Sequence, residues 1–165
     1  MPHDMKKHLF VFLAIIAFVC TFVSCEGKSV MSPGIKVSSV VVRTSIEGLC
    51  DTIDIRDSVN VGDTLRMTMV VNGYFDYLKS IVAQSDTDKV KVALPWNEAQ
   101  MGVLTDEADP EHGKLTFKPD SVVLCVAVMR YVPRKSGGQN VDIIVRSNAE
   151  ENYSSSQWTL NIGVR

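Results

Sequence analysis

VNVGDTLRMTMVVNG, residues 59–73, decides how the rest of the chain is read. Asn60-Val61-Gly62-Asp63 is turn chemistry, because Gly and Asp tolerate the dihedrals that a reversal needs. Leu65, Met67, Met69 and Val71 then recur at period two, with Arg66, Thr68 and Asn72 between them. That is a strand with one apolar face, and a helix cannot gather those residues on one side. Asn72-Gly73 closes the stretch as a hairpin dipeptide.

The same signals recur on both sides. Ile35-Lys36-Val37 leads into the β-branched run Val40-Val41-Val42, and residues 52–56 alternate. Residues 74–84 read as a strand or an irregular crossing, and Lys89 to Val92 alternates again. Residues 115–117 make a short strand. Val122 to Val132 is apolar at nearly every position, which predicts a central strand buried on both faces. Val141, Ile143 and Val145 alternate, as do Trp158, Leu160, Ile162 and Val164. Eight or nine short strands at roughly ten-residue spacing, with no amphipathic helix after residue 34, predict an all-β protein. The expected form is a single antiparallel immunoglobulin-like β-sandwich over residues 35–165.

The N-terminus reads differently. Lys6 and Lys7 precede an apolar run from Leu9 to Val23, which is shorter than the roughly 20 residues of a membrane-spanning helix. A basic flank followed by such a run predicts a secretory signal peptide over residues 1–24. Phe22-Val23-Ser24-Cys25 places a small residue before a cysteine, the pattern of a lipobox, so Cys25 is the expected lipidation site. Residues 25–34 then form a lipidated cysteine and a polar tether. A lipid anchor with more than one chain gives stable attachment to the membrane without spanning it.

Loss of Cys20 with the signal and lipidation of Cys25 leave Cys50 and Cys125. In an exported protein this pair is a candidate disulfide; the alternative is that Cys125 packs as a small hydrophobe. A net charge of −2 without an arginine run disfavours nucleic acid as a partner.

The lipobox-like FVSC, the tether, VNVGDTLRMTMVVNG and the terminal YSSSQWTLNIGV together resemble the small immunoglobulin-like lipoproteins of Bacteroidota. The resemblance implies a cell-envelope location, with the outer membrane expected, and little chemistry. It also implies that Thr52, Ser58, Thr64 and Ser121 are candidate O-glycosylation sites. Each follows Asp and precedes an apolar residue, as in that phylum's three-residue signal. The same triplets arise where a turn Asp leads into a strand.

Catalytic constellations are sparse. His112 is the one histidine after the signal, in an irregular segment from Pro95 to Gly113 that also carries Asp106, Glu107, Asp109 and Glu111. Those acids suit calcium in kind but not in EF-hand spacing. A solvated loop and an exposed histidine are the expectation. No cofactor and no metal site is expected, and the chain reads as non-catalytic. Tyr74, Tyr77 and Trp96 are the candidate ligand-binding aromatics, since exposed rings stack on sugars or anchor protein partners. The functional expectation is a lipid-anchored sandwich that binds a protein or glycan. Polysaccharide capture is the alternative, and a hydrolase built on His112 the next.

Overall fold

The computed structural model describes residues 30–165. The signal peptide, Cys25 and the tether up to residue 29 lie outside the described residues. Nine strands run in chain order: β1 Gly34–Thr44, β2 Cys50–Asp54, β3 Thr64–Asn72, β4 Leu78–Ser85, β5 Val90–Ala93, β6 Lys114–Thr116, β7 Leu124–Pro133, β8 Gly137–Ser147 and β9 Ser155–Val164. They form two sheets, one ordered β2-β1-β3-β7-β5 and the other β6-β4-β8-β9. All strand neighbours are antiparallel, and neither sheet closes into a barrel. Short 3-10 turns occur, but no α-helix is found among the described residues.

The period-two pattern sets the packing. Val41, Leu65, Met67, Met69, Val71, Ala127 and Met129 point inward from the first sheet. Ile81, Leu115, Val141, Ile143, Val145 and Ile162 meet them from the second. All are at most 3% exposed, so each removes nearly its whole side chain from water. Tyr131 shares this core and donates its hydroxyl to Gln139 Oε1 at 2.9 Å. The Gln139 amide in turn donates to the Lys135 carbonyl. Burial raises the Tyr131 pKa well above that of an exposed phenol.

The turn at residues 60–63 forms as its sequence predicts. Asp63 N–H donates to Asn60 O, Asp63 Oδ2 accepts from Asn60 N–H at 3.0 Å, and Gly62 supplies φ +88°. Asn72-Gly73 is not a hairpin, because β3 and β4 belong to different sheets. Gly73 N–H instead donates to Val123 O, and Leu78 N–H donates to Val122 O, so the chain bends around the start of β7 and crosses over. A Cβ on Gly73 would lie 2.1 Å from Asp76 O, so the bend admits only glycine.

Two further expectations are corrected. Cys50 and Cys125 are both free. They sit in one sheet, on strands separated by β1 and β3: Cys50 faces Thr44, Thr44 faces Thr64, and Cys125 faces Val71. That places them about 14 Å apart across the strands and over 20 Å apart along them. A disulfide needs Cα atoms within about 7 Å. Cys125 is buried against the core, and desolvation pushes its thiol pKa up to about 11, so it behaves as a small apolar residue. The second correction concerns β7. It is central in its sheet, but only one of its faces is covered.

Candidate functional site

β7 presents Cys125, Ala127, Met129 and Tyr131 to the core, and Leu124, Val126 and Val128 to the outside. The outer three are 58%, 62% and 39% exposed. Strand register shows what lies beside them. Val126 is opposite Val70 of β3, which is itself opposite Lys36 of β1. Val128 is opposite Thr68, and Leu124 is opposite Asn72. Val40 and Val42 of β1 add exposed methyls on the same side. The middle of the five-stranded sheet thus carries an uncovered aliphatic surface, where a sandwich ordinarily places polar side chains.

The charges around this surface have one dominant sign. Lys36 is opposite Val70, and Arg66 is opposite Val42 on one side and Arg130 on the other. Neither Lys36 nor Arg66 forms an ion pair among the described residues. Arg130 is neutralised by Glu111 at 2.8 Å, and Asp54, opposite Val40, is occupied by Arg56.

The aromatic loop adjoins the same surface. Asn72 is the last residue of β3 and faces Leu124, so Tyr74, Phe75 and Tyr77 lie just past the Leu124 end. They are 43%, 85% and 37% exposed. The loop is pinned from several directions. Tyr74 N–H donates to Asn72 Oδ1 at 2.7 Å, Tyr77 N–H donates to Asn148 Oδ1 at 2.8 Å, and Asn148 N–H donates back to Tyr77 O. Rings held this way lose little freedom on binding. Phe75 read as a core or core-edge residue in sequence, and it is the most exposed large apolar residue described.

Trp96 does not join this group. It is half-buried against the core, meets Phe117 edge-on at 6.0 Å, and donates its indole N–H to Gln100 O at 3.0 Å. With its ring packed and its N–H bonded, it is a structural residue rather than a stacking platform.

His112 lies on a 3-10 turn, with Nδ1 2.8 Å from Asp109 Oδ2, and this partner holds the Asp109 carboxyl below its usual range. The histidine lines a cleft of about 470 Å³ at the β4–β5 side of the sandwich, with Ser85, Thr87, Lys91 and Arg134 around it. Among the described residues, the His112 ring bonds to Asp109 and to no hydroxyl, so no nucleophile is activated there. The acidic segment does not converge either: Asp109 turns to His112 and Glu111 to Arg130. No group of three or more potential metal ligands gathers among the described residues.

The four Asp-led triplets differ in access. Thr52 and Ser121 are exposed, whereas Ser58 and Thr64 are half-buried. Ser121 Oγ also donates to Lys118 O at 2.6 Å.

No family model matches the chain. No curated protein matches it either. Among solved structures it is similar to a DUF4466 family protein from Parabacteroides merdae, with 12% identity and a TM-score of 0.40. That alignment covers 81% of this chain and 46% of the other. A family 123 glycoside hydrolase from Clostridium perfringens gives 12% identity and a TM-score of 0.38 over 81% of this chain and 27% of the hydrolase. The chain therefore spans under half the length of either neighbour. Such a likeness is too loose to carry over a site or an activity.

Proposed function

We propose that the chain is a non-catalytic, lipid-anchored protein of the cell envelope, whose immunoglobulin-like sandwich binds a partner protein through the outer face of β1, β3 and β7. The observation that supports this reading is the aliphatic surface of Val40, Val42, Val70, Leu124, Val126 and Val128 at the centre of a sheet. Contiguous apolar surface bounded by polar residues is characteristic of protein interfaces. The unpaired Lys36 and Arg66 define the partner's chemistry: an apolar patch flanked by carboxylates. Tyr74, Phe75 and Tyr77 extend the contact at one end and supply the rigid, large side chains that usually anchor such interfaces. Polysaccharide capture loses one of its three rings with Trp96 in the core. The anchor is assigned to Cys25 and the location to the outer membrane.

A photoreactive residue at Val126 in the full chain, expressed in its own cells, should give one discrete adduct. Adding Leu124→Glu and Val128→Glu should remove it without lowering the unfolding midpoint by more than a few degrees. An adduct of the same size from a photoreactive residue at Asp106, or none from Val126, would refute the interface.

A further inference from the structure

The edge of the second sheet carries a separate inference. β9 is its outer strand, ten residues long, and from Ser155 to Val164 it contains no charged residue and no proline. Its last residues are covered: Val59 N–H donates to Gly163 O, Arg165 N–H donates to Val59 O, and Val61 N–H donates to Arg165 O. Residues 163 and 165 therefore aim their backbone groups away from β8. The β8–β9 register runs without a shift, so Ser155, Gln157, Thr159 and Asn161 aim theirs the same way. Among the described residues, nothing bonds to those four outward N–H and C=O pairs.

The other edges are protected. β2 has five residues with two acids, and Asp57 Oδ2 accepts from the Asp54 N–H. β5 has four residues, with Lys91 among them and Lys89 just before it. β6 has three, and the bridges Leu104–Phe117 and Asp109–Lys114 flank it. Short length, charge and cover are the ordinary defences of a sheet edge, and β9 lacks all of them.

We infer that β9 pairs with β9 of a second copy of this chain, antiparallel and about a two-fold axis at Trp158. Three features favour a second copy over an unrelated strand. The open stretch runs from Ser155 to Asn161 and is centred on Trp158. In this register Ser155 of one copy faces Asn161 of the other and Gln157 faces Thr159, so the four outward residues on each chain are all matched. The ladder ends where β9 itself begins, just before Val59 takes over the edge, so the incoming strand meets no obstruction. At the axis, the two half-buried Trp158 rings meet on the inner side and cover surface that each monomer leaves partly open. The same two-fold brings Arg165 of one copy toward the Glu150–Glu151 turn of the other, a match of opposite charge. A two-fold contact of this kind is self-complementary and closes on itself.

The test uses the full chain in its own membranes, in a Cys50→Ser background because Cys50 is an exposed free thiol. Gln157→Cys treated with a short bis-maleimide should give a covalent dimer at least tenfold more abundant than Asp106→Cys gives. Thr159→Pro should abolish that dimer. Its N–H faces outward, so proline there removes no β8–β9 bond. Thr159→Lys is the second variant, introducing the charge that natural edges carry, and should reduce the dimer as strongly. The inference is overturned by absence of a dimer from Gln157→Cys, by equal yield at position 106, or by persistence of the dimer in both Thr159 variants. An adduct between position 157 and a different protein also overturns it, since the edge would then hold another chain's strand.

Discussion

Val126→Ala and Met129→Ala, three residues apart on β7, should differ severalfold in cost. Truncating valine to alanine removes about two methyl-sized groups, worth about 1.6 kcal/mol when fully buried. Val126 is 62% exposed, which leaves about 0.6 kcal/mol, and lost strand propensity adds a few tenths. Met129 is 1% exposed among Met67, Tyr131 and Ile143, so its truncation removes packed atoms and leaves a cavity, at about 3 kcal/mol. For a domain of this size, roughly 4 °C of unfolding midpoint accompanies each kcal/mol, so the expected drops are about 3–4 °C and about 12 °C. Urea unfolding followed by tryptophan fluorescence measures both, and unchanged slopes confirm that the variants share one folded state. Equal losses at the two positions would refute the reasoning. They would mean that the outer face of β7 is covered in the free protein, and the proposed interface would go with it.

Two further outcomes follow from the same coordinates. Cys50 should react with an aromatic disulfide reagent in the native protein and Cys125 only after unfolding, because one thiol is exposed and the other is buried with its pKa raised to about 11; equal native reactivity would contradict the position of β7. Acid should weaken the β2 region. The Arg56 guanidinium donates to Asp54 and lowers its pKa to about 2, and Arg43 lowers that of Asp51 in the same way. Both carboxyls are depressed in the fold, so their contribution is complete above about pH 4 and is lost as pH falls towards 2. Hydrogen exchange of β1–β2 amides between pH 5 and 2 should show that loosening, and Asp54→Asn should flatten it; an unchanged profile in the variant would sink the assignment.

The site was only partly legible in sequence. Tyr74 and Tyr77 were recognisable as turn aromatics, and the structure exposes both. Phe75 and Trp96 exchanged roles, because a ring's exposure depends on what the rest of the chain places over it. Trp96 is covered by the side of Phe117, which follows β6 in the chain, whereas nothing reaches Phe75. Asn72-Gly73 had the composition of a hairpin. The contacts with Val122 and Val123, fifty residues on, make it a crossover between sheets instead.

Period-two alternation at Leu65-Met67-Met69-Val71, in 141–145 and in 158–164 was enough to determine strands, their inward faces and an all-β class, because a pleated strand fixes the side-chain direction locally. The turn at residues 60–63 was likewise determined by its own residues. Continuous apolar runs are another matter. Val122 to Val132 supplies methyls to both sides of β7, and no local rule says whether a second layer covers the outer side. The two-sheet arrangement decided that: one sheet covers one face, and Leu124, Val126 and Val128 remain in water. The free β9 edge and the separation of Cys50 from Cys125 were decided in the same way, by strand order, which depends on pairings between residues far apart in the chain.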